Sequence, residues 1–317
     1  MKLTFWKNKR VLITGGAGFL GKSLVPKLES LQSRIFIPRR KDCDLREKDD
    51  VSRLFDDVRP EIVIHMAVHG GGIGYMRQHS GSIFYDNLMM DTLVIEYSRL
   101  HKVDTFVGIG TVCSYPKFTS VPFQESELWN GYPEETNAPY GMAKKMMLVQ
   151  TQAYRQEYGF NGIHLLLVNM YGPNDDFSPE SSHVIPALIK KFTDAIENNE
   201  NEVAVWGTGN ASREFLYVED AADAIILASE RYARPEPVNV GAGFEISIRE
   251  LVSLIVELTG FRGKIEWDTS KPDGQPRRCL DTKRAKDEFG FRAKTGFREG
   301  LKETIEWYRK NSNNNFQ

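Results

Sequence analysis

The 317-residue sequence predicts an α/β fold, in which a Rossmann-type, doubly wound parallel sheet is followed by a smaller α/β C-terminal domain. Two observations favour it. Short apolar, β-branched runs alternate with longer helical patterns through the first half of the chain, and a glycine-rich turn directly follows the first run. Strands that are apolar along their whole length are typical of a parallel sheet covered on both faces.

The elements of the first half follow from their patterning. Residues 10–14 (RVLIT) are expected to form a buried strand. Residues 21–31 are expected to form a helix, because three leucines recur on one face at spacings of four and three. The same alternation predicts strands at 34–37, 62–65, 105–109 and 163–168, and helices at 51–57, 86–100 and 139–158.

The pattern changes after residue 168, where proline and glycine become frequent. Helices are expected at 184–198, 248–259 and 296–310, before an asparagine-rich tail at 311–317 that should fray. We therefore predict a Rossmann domain over 1–168 and a mainly substrate-binding domain over 169–317, with the chain returning to the first domain around 211–241. A ligand is expected between them, at the carboxyl ends of the strands.

Composition excludes several classes of function. The 41 basic and 43 acidic residues give a net charge of −2, so there is no reason to expect nucleic acid or an anionic membrane as partner. No apolar run approaches the roughly 20 residues that a membrane-spanning helix needs, and we expect a cytoplasmic protein. The three cysteines are far apart and in no CxxC pair, which predicts neither a disulfide framework nor a metal site.

A glycine-rich turn joins the first strand to the first helix (TGGAGFLG, 14–21). Glycines at this spacing allow a tight turn and close approach of the backbone to a pyrophosphate, while the helix N-terminus offers unpaired N–H groups to it. The turn therefore predicts a dinucleotide site. We assign to this site Gly15, Gly18, Phe19, Leu20 and Gly21, together with Ala67 beyond the third strand.

Two arginines follow the second strand, at the position where an NAD-binding chain usually carries an acid. Arg39 and Arg40 could instead pair with the 2′-phosphate of NADP. We therefore predict an NADP-binding domain, while Asp42 and Asp44 nearby leave NAD possible.

Tyr140 and Lys144 form a Tyr-x-x-x-Lys pair at the start of a predicted helix, where residues four apart share one face. A lysine cation beside a phenol is expected to lower the pKa of Tyr140, making it an acid and base for a carbonyl or hydroxyl. Lys144 could then also hold a ribose hydroxyl. Thr111, at the end of the preceding strand, could bind the same substrate oxygen.

The glycine turn and the YGMAK segment resemble the extended short-chain dehydrogenases/reductases that act on nucleotide sugars. More narrowly, the chain resembles the GDP-L-fucose synthase family of 3,5-epimerase/4-reductases. The matching segments lie in order over nearly the whole chain: HGGGIG (69–74), CSYPK (113–117), ETNAPY (135–140), NMYGPNDDF (169–177), SHVIPAL (182–188), VWGTG (205–209), REFL (213–216) and KPDG (271–274).

The resemblance implies an NADPH-dependent enzyme that inverts C3 and C5 of a GDP-4-keto-6-deoxy-hexose and then reduces its C4 ketone. It implies that Cys113 and His183 are the base and the acid of the epimerisation. It also implies a homodimer, formed through the helices at 86–100 and 139–158. The residues that it places around the nucleotide sugar are Asn169, Val184, Leu188, Trp206 and Arg213.

One departure from the family keeps alternatives open. The family's Gly-Ser-Ser-Cys reads Gly110-Thr111-Val112-Cys113 here, so that Thr111 keeps a hydroxyl and Val112 loses one. One alternative is an NAD-retaining nucleotide-sugar epimerase that resembles GDP-mannose 3,5-epimerase. Another is a C4 reductase of a different keto-deoxy sugar nucleotide. A third is a protein that binds the cofactor without catalysis.

Overall fold

The computed structural model describes residues 1–271 and 273–312. Its helices are α1 (Leu3–Trp6), α2 (Phe19–Ser30), α3 (Lys48–Val58), α4 (Ile73–Gln78), α5 (Ser80–Leu100), α6 (Ala138–Tyr158), α7 (Val184–Glu197), α8 (Val218–Arg231), α9 (Ile248–Thr259), α10 (Lys283–Phe289) and α11 (Phe297–Ser312). Its strands are β1 (Arg10–Thr14), β2 (Arg34–Phe36), β3 (Ile62–His65), β4 (Thr105–Thr111), β5 (Gly162–Leu167), β6 (Asn169–Tyr171), β7 (Glu202–Trp206), β8 (Ser212–Arg213), β9 (Phe215–Tyr217), β10 (Val238–Val240), β11 (Ile246–Ser247) and β12 (Lys264–Asp268).

Six parallel strands form the central sheet, in the order β2-β1-β3-β4-β5-β10. The predicted doubly wound parallel sheet is therefore confirmed. The chain passes from β1 to one neighbour and then returns to the other side of β1 for β3. The two connections leave the carboxyl ends of β1 and β3 in opposite directions, and this opens a crevice between them.

Helices cover both faces of this sheet, and alternate strand residues pack on opposite layers. Val11 and Ile13 of β1 share a core with α2 and α8. Leu12 between them shares another core with α3, α5 and α6. The strands are buried on both faces for this reason, as their continuous apolar runs predict.

A further core, separate from the two on the faces of the central sheet, lies among α7, α9 and α11 and the parallel pair β7–β12. Between this core and the central sheet, β6 pairs with β9 in parallel and β8 pairs with β11 in antiparallel. The chain also returns to the central sheet: β10 joins it as an edge strand, and α8 packs on one of its faces. The division of the chain at residue 168 stays a prediction.

Several helices differ from the sequence-based expectation. Helix α5 begins at Ser80, six residues before the predicted start at 86. The prediction missed this first part because it is mostly exposed and carries little apolar periodicity. Helices α1, α4, α8 and α10 were not predicted. Helix α8 lies in the second half of the chain, where proline- and glycine-rich segments interrupt the pattern. Position 272 of the KPDG segment and 313–317 of the tail lie outside the described residues. No described helix is long and apolar enough to cross a membrane.

Candidate active site

A cleft of about 630 Å³ opens at the carboxyl ends of β1, β3, β4 and β5, where the sheet order reverses. It brings together most of the residues proposed from the sequence, although they are spread over some 170 positions of the chain. Those that line it are Gly15, Gly18, Phe19, Leu20, Arg39, Arg40, Ala67, Thr111, Cys113, Tyr140, Lys144, Asn169 and His183.

The glycine turn has no room for side chains. Gly15 has φ +71°, and a Cβ on it would lie 2.8 Å from the backbone nitrogen of Ala67. A Cβ on Gly21, which lies beneath the cleft surface, would lie 2.2 Å from the carbonyl oxygen of Gly16. Gly18 is the N-cap residue of α2, and no side chain caps the first N–H groups of this helix. This turn fits a dinucleotide pyrophosphate, which needs close backbone approach and free N–H groups.

Arg39 and Arg40 lie exposed on the rim of the cleft. The neighbouring acid Asp44 is already paired, because the guanidinium of Arg46 donates from Nε to Asp44 Oδ1 at 2.9 Å. Arg46 lowers the pKa of Asp44 to about 2. Within residues 1–271 and 273–312, neither Arg39 nor Arg40 forms an ion pair of its own, so both are available to a phosphate.

Helix α6 presents Tyr140 and Lys144 to the cleft. Lys144 is 1% exposed, and its ammonium donates to Asp91 Oδ1 at 2.8 Å. Burial raises the pKa of Tyr140 above its ordinary value; the negative charges of Cys113 and Asp91 add to this, and only the hydroxyl of Thr111 lowers it. The expectation that Lys144 lowers the pKa of Tyr140 is therefore wrong for the protein alone, because Asp91 compensates the lysine charge. Tyr140 keeps its proton at neutral pH and is suited to donate it.

Cys113 lies in a single 3-10 turn (Val112–Ser114) directly after β4. The hydroxyl of Thr111 accepts from the backbone N–H of Cys113 at 3.2 Å and so fixes the turn. The thiol donates towards Asn137 Oδ1 at 3.7 Å, and Arg278 Nη1 lies 3.5 Å from its sulfur. Helix α6 approaches the turn closely, since a Cβ on Gly141 would lie 2.3 Å from the carbonyl oxygen of Cys113.

His183 lies directly before α7 and lines the cleft. The protein around the ring lowers the pKa of the imidazole, and the cation of Arg278 adds to this effect, while Asp176 opposes it. His183 is therefore neutral at pH 7, and its imidazolium, once formed, is a stronger acid than an ordinary one. The cleft thus holds the thiol of Cys113 and the imidazole of His183 together.

Asp175 lines the same cleft and was missed by the sequence analysis. Its Oδ1 accepts from the N–H of Asp176 at 2.8 Å, whereas its buried Oδ2 has no hydrogen-bond partner among the described residues. Burial raises the pKa of Asp175 to about 7. The only local signal is its place in the NMYGPNDDF segment, which does not separate it from Asp176.

The other proposed substrate residues do not line this cleft. Leu188 is 4% exposed and packs in the core among α7, α9 and α11, with Val184 against that core. Trp206 is 59% exposed at the end of β7. The ammonium groups of Lys191 and Lys271 lie 5.6 and 5.5 Å from its ring centroid, which gives the ring two cations that the sequence analysis did not single out.

Arg213 and Arg278 are two buried guanidiniums with no carboxylate partner in the described part of the chain. Arg213 donates to the carbonyl oxygen of Asp273 at 3.0 Å, and Arg278 donates from Nη2 to Gln275 Oε1 at 3.0 Å. Burial and the charge of Arg278 lower the pKa of Arg213 to about 10. Two unpaired buried cations favour an anionic ligand. The sequence analysis proposed Arg213 and missed Arg278.

Comparisons with known proteins agree with this geometry. A sequence profile described as "NAD dependent epimerase/dehydratase family" matches residues 11–241. GDP-L-fucose synthase 1 of Arabidopsis thaliana is 39% identical over 96% of this chain and 94% of its own length. GDP-L-fucose synthase of Escherichia coli (strain K12) is 34% identical over 96% of this chain and 98% of its own.

Two solved structures are similar over the whole chain. A GDP-6-OMe-4-keto-L-xylo-heptose reductase from C. jejuni has a TM-score of 0.90 and 28% identity, covering 98% of this chain and 99% of that one. A GDP-L-fucose synthetase from Naegleria fowleri bound to NADP has a TM-score of 0.87 and 27% identity, covering 97% of this chain and 96% of that one.

Proposed function

Because the chain belongs to the NAD dependent epimerase/dehydratase family, as an NADP-dependent enzyme of the extended short-chain dehydrogenase type, we propose that it makes GDP-L-fucose or a close relative. Its substrate would be GDP-4-keto-6-deoxy-D-mannose or a similar GDP-4-keto-6-deoxy-hexose. The observation that carries this proposal is that Cys113, Tyr140 and His183 line one cleft with the glycine turn.

The first step is inversion at C3 and C5. Protons at these carbons are removable because both flank the C4 ketone, whose oxygen takes the charge of the enolate. Cys113 as thiolate removes a proton from one face of the sugar, and His183 as imidazolium delivers a proton to the other face. Solvent then takes the proton from Cys113 and returns one to His183 before the second carbon reacts. The hydroxyls of Tyr140 and Thr111 stabilise the enolate oxygen by hydrogen bonds. One proton leaves and one arrives at each carbon, so the step consumes no reductant.

The second step is reduction of the C4 ketone, for which bound NADPH supplies the hydride. Tyr140 donates its phenolic proton to the C4 oxygen as the alcohol forms, and Lys144 holds a ribose hydroxyl of the cofactor. The phenol is protonated at neutral pH before the step, as this direction requires. Thr111 keeps the oxygen within reach of the phenol.

The glycine turn would hold the cofactor pyrophosphate through Gly15, Gly18 and Gly21, with Phe19, Leu20 and Ala67 beside it. Arg39 and Arg40 would bind the 2′-phosphate, which favours NADP over NAD. Of the residues proposed for the GDP sugar, Asn169 would contact it in the cleft and Trp206 and Arg213 beyond the cleft, whereas Val184 and Leu188 pack in a core and would support the site from behind. The exposed ring of Trp206 and the unpaired guanidinium of Arg213 suit a base and a diphosphate.

Replacing both Arg39 and Arg40 with Ser is expected to raise KM for NADPH by about 10- to 100-fold, because two charge-assisted contacts to the 2′-phosphate are lost. KM for NADH should change little. Steady-state kinetics with each cofactor measures the difference. Arg34→Ser is the matched control, since Arg34 is an exposed arginine on β2 outside the cleft. An unchanged ratio of the two KM values in the double variant would contradict the NADP assignment.

We also propose a homodimer formed through α5 and α6, which pack against each other. Their surfaces carry exposed apolar side chains at Phe84, Tyr85, Val149 and Tyr158. Such a patch suits burial against a second copy. The cytoplasmic location expected from the sequence stays a prediction.

The deciding experiment incubates the protein with GDP-4-keto-6-deoxy-mannose and NADPH in deuterated water. NADPH oxidation with deuterium at both C3 and C5 of the product is expected. NADPH oxidation without deuterium would favour the second candidate, a C4 reductase without epimerisation, which the similarity to the C. jejuni reductase supports. Exchange without NADPH oxidation would indicate an epimerase that retains its cofactor. No reaction would exclude this substrate.

A further inference from the structure

A buried ion pair joins α5 to α6 directly behind the tyrosine of the active site. Asp91 and Lys144 are each 1% exposed, and Lys144 Nζ donates to Asp91 Oδ1 at 2.8 Å. Burial disfavours charge on Asp91, but the Lys144 ammonium and His65 outweigh it and hold the pKa of Asp91 below its ordinary value. The carboxylate is therefore ionised and compensates the lysine charge within the protein interior.

The same oxygen of Asp91 also accepts from His65, and further hydrogen bonds connect His65 to Thr14, directly before the glycine turn. His65 Nε2 lies 2.8 Å from Asp91 Oδ1, and His65 Nδ1 lies 2.6 Å from the hydroxyl of Thr14. Thr14 Oγ1 accepts from the backbone N–H groups of Met66 and Ala67, each at 3.2 Å. The ends of β1 and β3 at the floor of the cleft are thus tied to Lys144 through Asp91.

The protonation state of His65 follows from its partners. Burial and the Lys144 cation lower its pKa, against the opposing effect of Asp91, so the ring is neutral. Because an ionised carboxylate can only accept hydrogen bonds, Nε2 of His65 must carry the proton and donate the hydrogen bond to Asp91. Nδ1 then accepts from the hydroxyl of Thr14. His65 therefore has a hydrogen-bond partner on each ring nitrogen and orients Asp91.

Burying these charged groups lowers the free energy of unfolding. Asp91 Oδ2 is buried and has no hydrogen-bond partner among the described residues, and the Lys144 ammonium is removed from water as well. An apolar pair of similar size would often be at least as stable as a buried ion pair. A role in the reaction accounts for the carboxylate better than a role in packing.

The charges around Tyr140 indicate what that role is. The phenol is faced by Asp91 from α5, by Cys113 from the turn after β4 and by the hydroxyl of Thr111, with Lys144 one turn along its own helix. His164 of β5 and His65 of β3 lie beside the ion pair, and burial keeps both rings uncharged. Asp91 is therefore the one group of opposite charge that engages Lys144 in this part of the described chain.

We propose that Asp91 is a positioning residue of the reaction, whose carboxylate fixes the Lys144 ammonium and offsets the charge that this ammonium presents to Tyr140. This rests on the proposed role of Tyr140 as the proton donor in ketone reduction. Without Asp91, an uncompensated Lys144 cation would favour the phenolate and would be free to leave its position.

Asp91→Asn is the test, because asparagine keeps the shape and removes the charge. We expect the alkaline limb of the pH profile of kcat/KM for ketone reduction to move down by about one pH unit or more. We expect kcat at pH 7 to fall by about 10- to 100-fold, with KM for the sugar nucleotide near that of the wild type. A fall in kcat with an unmoved pH profile would overturn the proposal.

A second readout needs no substrate and separates this proposal from the proposed function. The ultraviolet absorbance of tyrosinate in Asp91→Asn, minus that in D91N/Y140F, reports the ionisation of Tyr140 alone. We expect ionisation at lower pH than the same difference between wild type and Tyr140→Phe shows. If this shift is present while no ketone is reduced, the proposed function fails and the role of Asp91 in holding the phenol proton stands; if it is absent, the role of Asp91 fails.

The controls address folding. Asp220→Asn also removes a buried carboxylate, one that accepts from the N–H groups of Lys294 and Thr295 outside the cleft, and it should leave the pH profile unchanged. If Asp91→Asn does not fold, Lys144→Met is compared with D91N/K144M, which leaves no buried charge unpaired. Tyr140 should then ionise at lower pH in the double variant, and equal titrations would overturn the proposal.

Discussion

Tyr140→Phe is expected to lower the rate of NADPH oxidation by about 100- to 10,000-fold, the range that a positioned general acid contributes. Phenylalanine fills the same space but cannot protonate the C4 oxygen as the alcohol forms. Exchange of the C3 and C5 protons should fall less, because Thr111 still offers a hydroxyl to the enolate oxygen. The two rates are measured together, by cofactor absorbance and by deuterium in the sugar.

The matched control is Tyr132→Phe, which removes a phenol that is 64% exposed and lies outside the cleft. It should keep both rates within about two-fold of the wild type, as surface substitutions commonly do. Full NADPH oxidation by Tyr140→Phe would remove Tyr140 from the reaction. An equal loss of both rates would instead assign it to enolate stabilisation in the first step.

The Tyr140 case also shows which parts of the site local sequence can predict. The spacing of Tyr140 and Lys144 identifies the pair because both lie on one helix, where four residues separate neighbours on a face. The direction of the pKa shift of Tyr140 was wrong because it depends first on burial and then on the charges of Cys113 and Asp91, which the fold brings to the phenol. Asp91 lies 53 positions before Lys144, and only the packing of α5 on α6 brings the two together.

The same distinction applies to the fold. The strands β1 to β5 and the glycine turn could be predicted, since apolar runs and glycine spacing are properties of short segments. The strands β6 to β12 and helix α8 were not placed, because proline- and glycine-rich segments interrupt the pattern in the second half of the chain. Asp175 and Arg278 were missed because segments distant in the chain create their surroundings: among the described residues, Asp175 Oδ2 has no hydrogen-bond partner and Arg278 has no carboxylate partner.

Cys113→Ser is expected to slow deuterium entry at C3 and C5 by about 100-fold or more, because a serine hydroxyl is a far weaker base than a thiolate near neutrality. Reduction of an already epimerised ketone should continue, since Tyr140 and Lys144 are unchanged. Cys279→Ser is the control, because Cys279 lies outside the cleft and should leave exchange intact. Normal exchange in Cys113→Ser would show that the thiol is not the base of the epimerisation.

His183→Gln should fail differently, and the difference identifies the two faces of the sugar. Cys113 can still remove a proton and return a deuteron from its own side, so exchange at C3 and C5 should persist at a reduced rate. Inversion needs a proton from the opposite face, and glutamine cannot supply it. The expected product therefore carries deuterium with the original configuration at both carbons, which nuclear magnetic resonance of the sugar would resolve. Inverted product formed at the wild-type rate would exclude His183 as the acid. Loss of exchange in this variant to the level of Cys113→Ser would reverse the assignment and make His183 the base, a role open to its neutral imidazole.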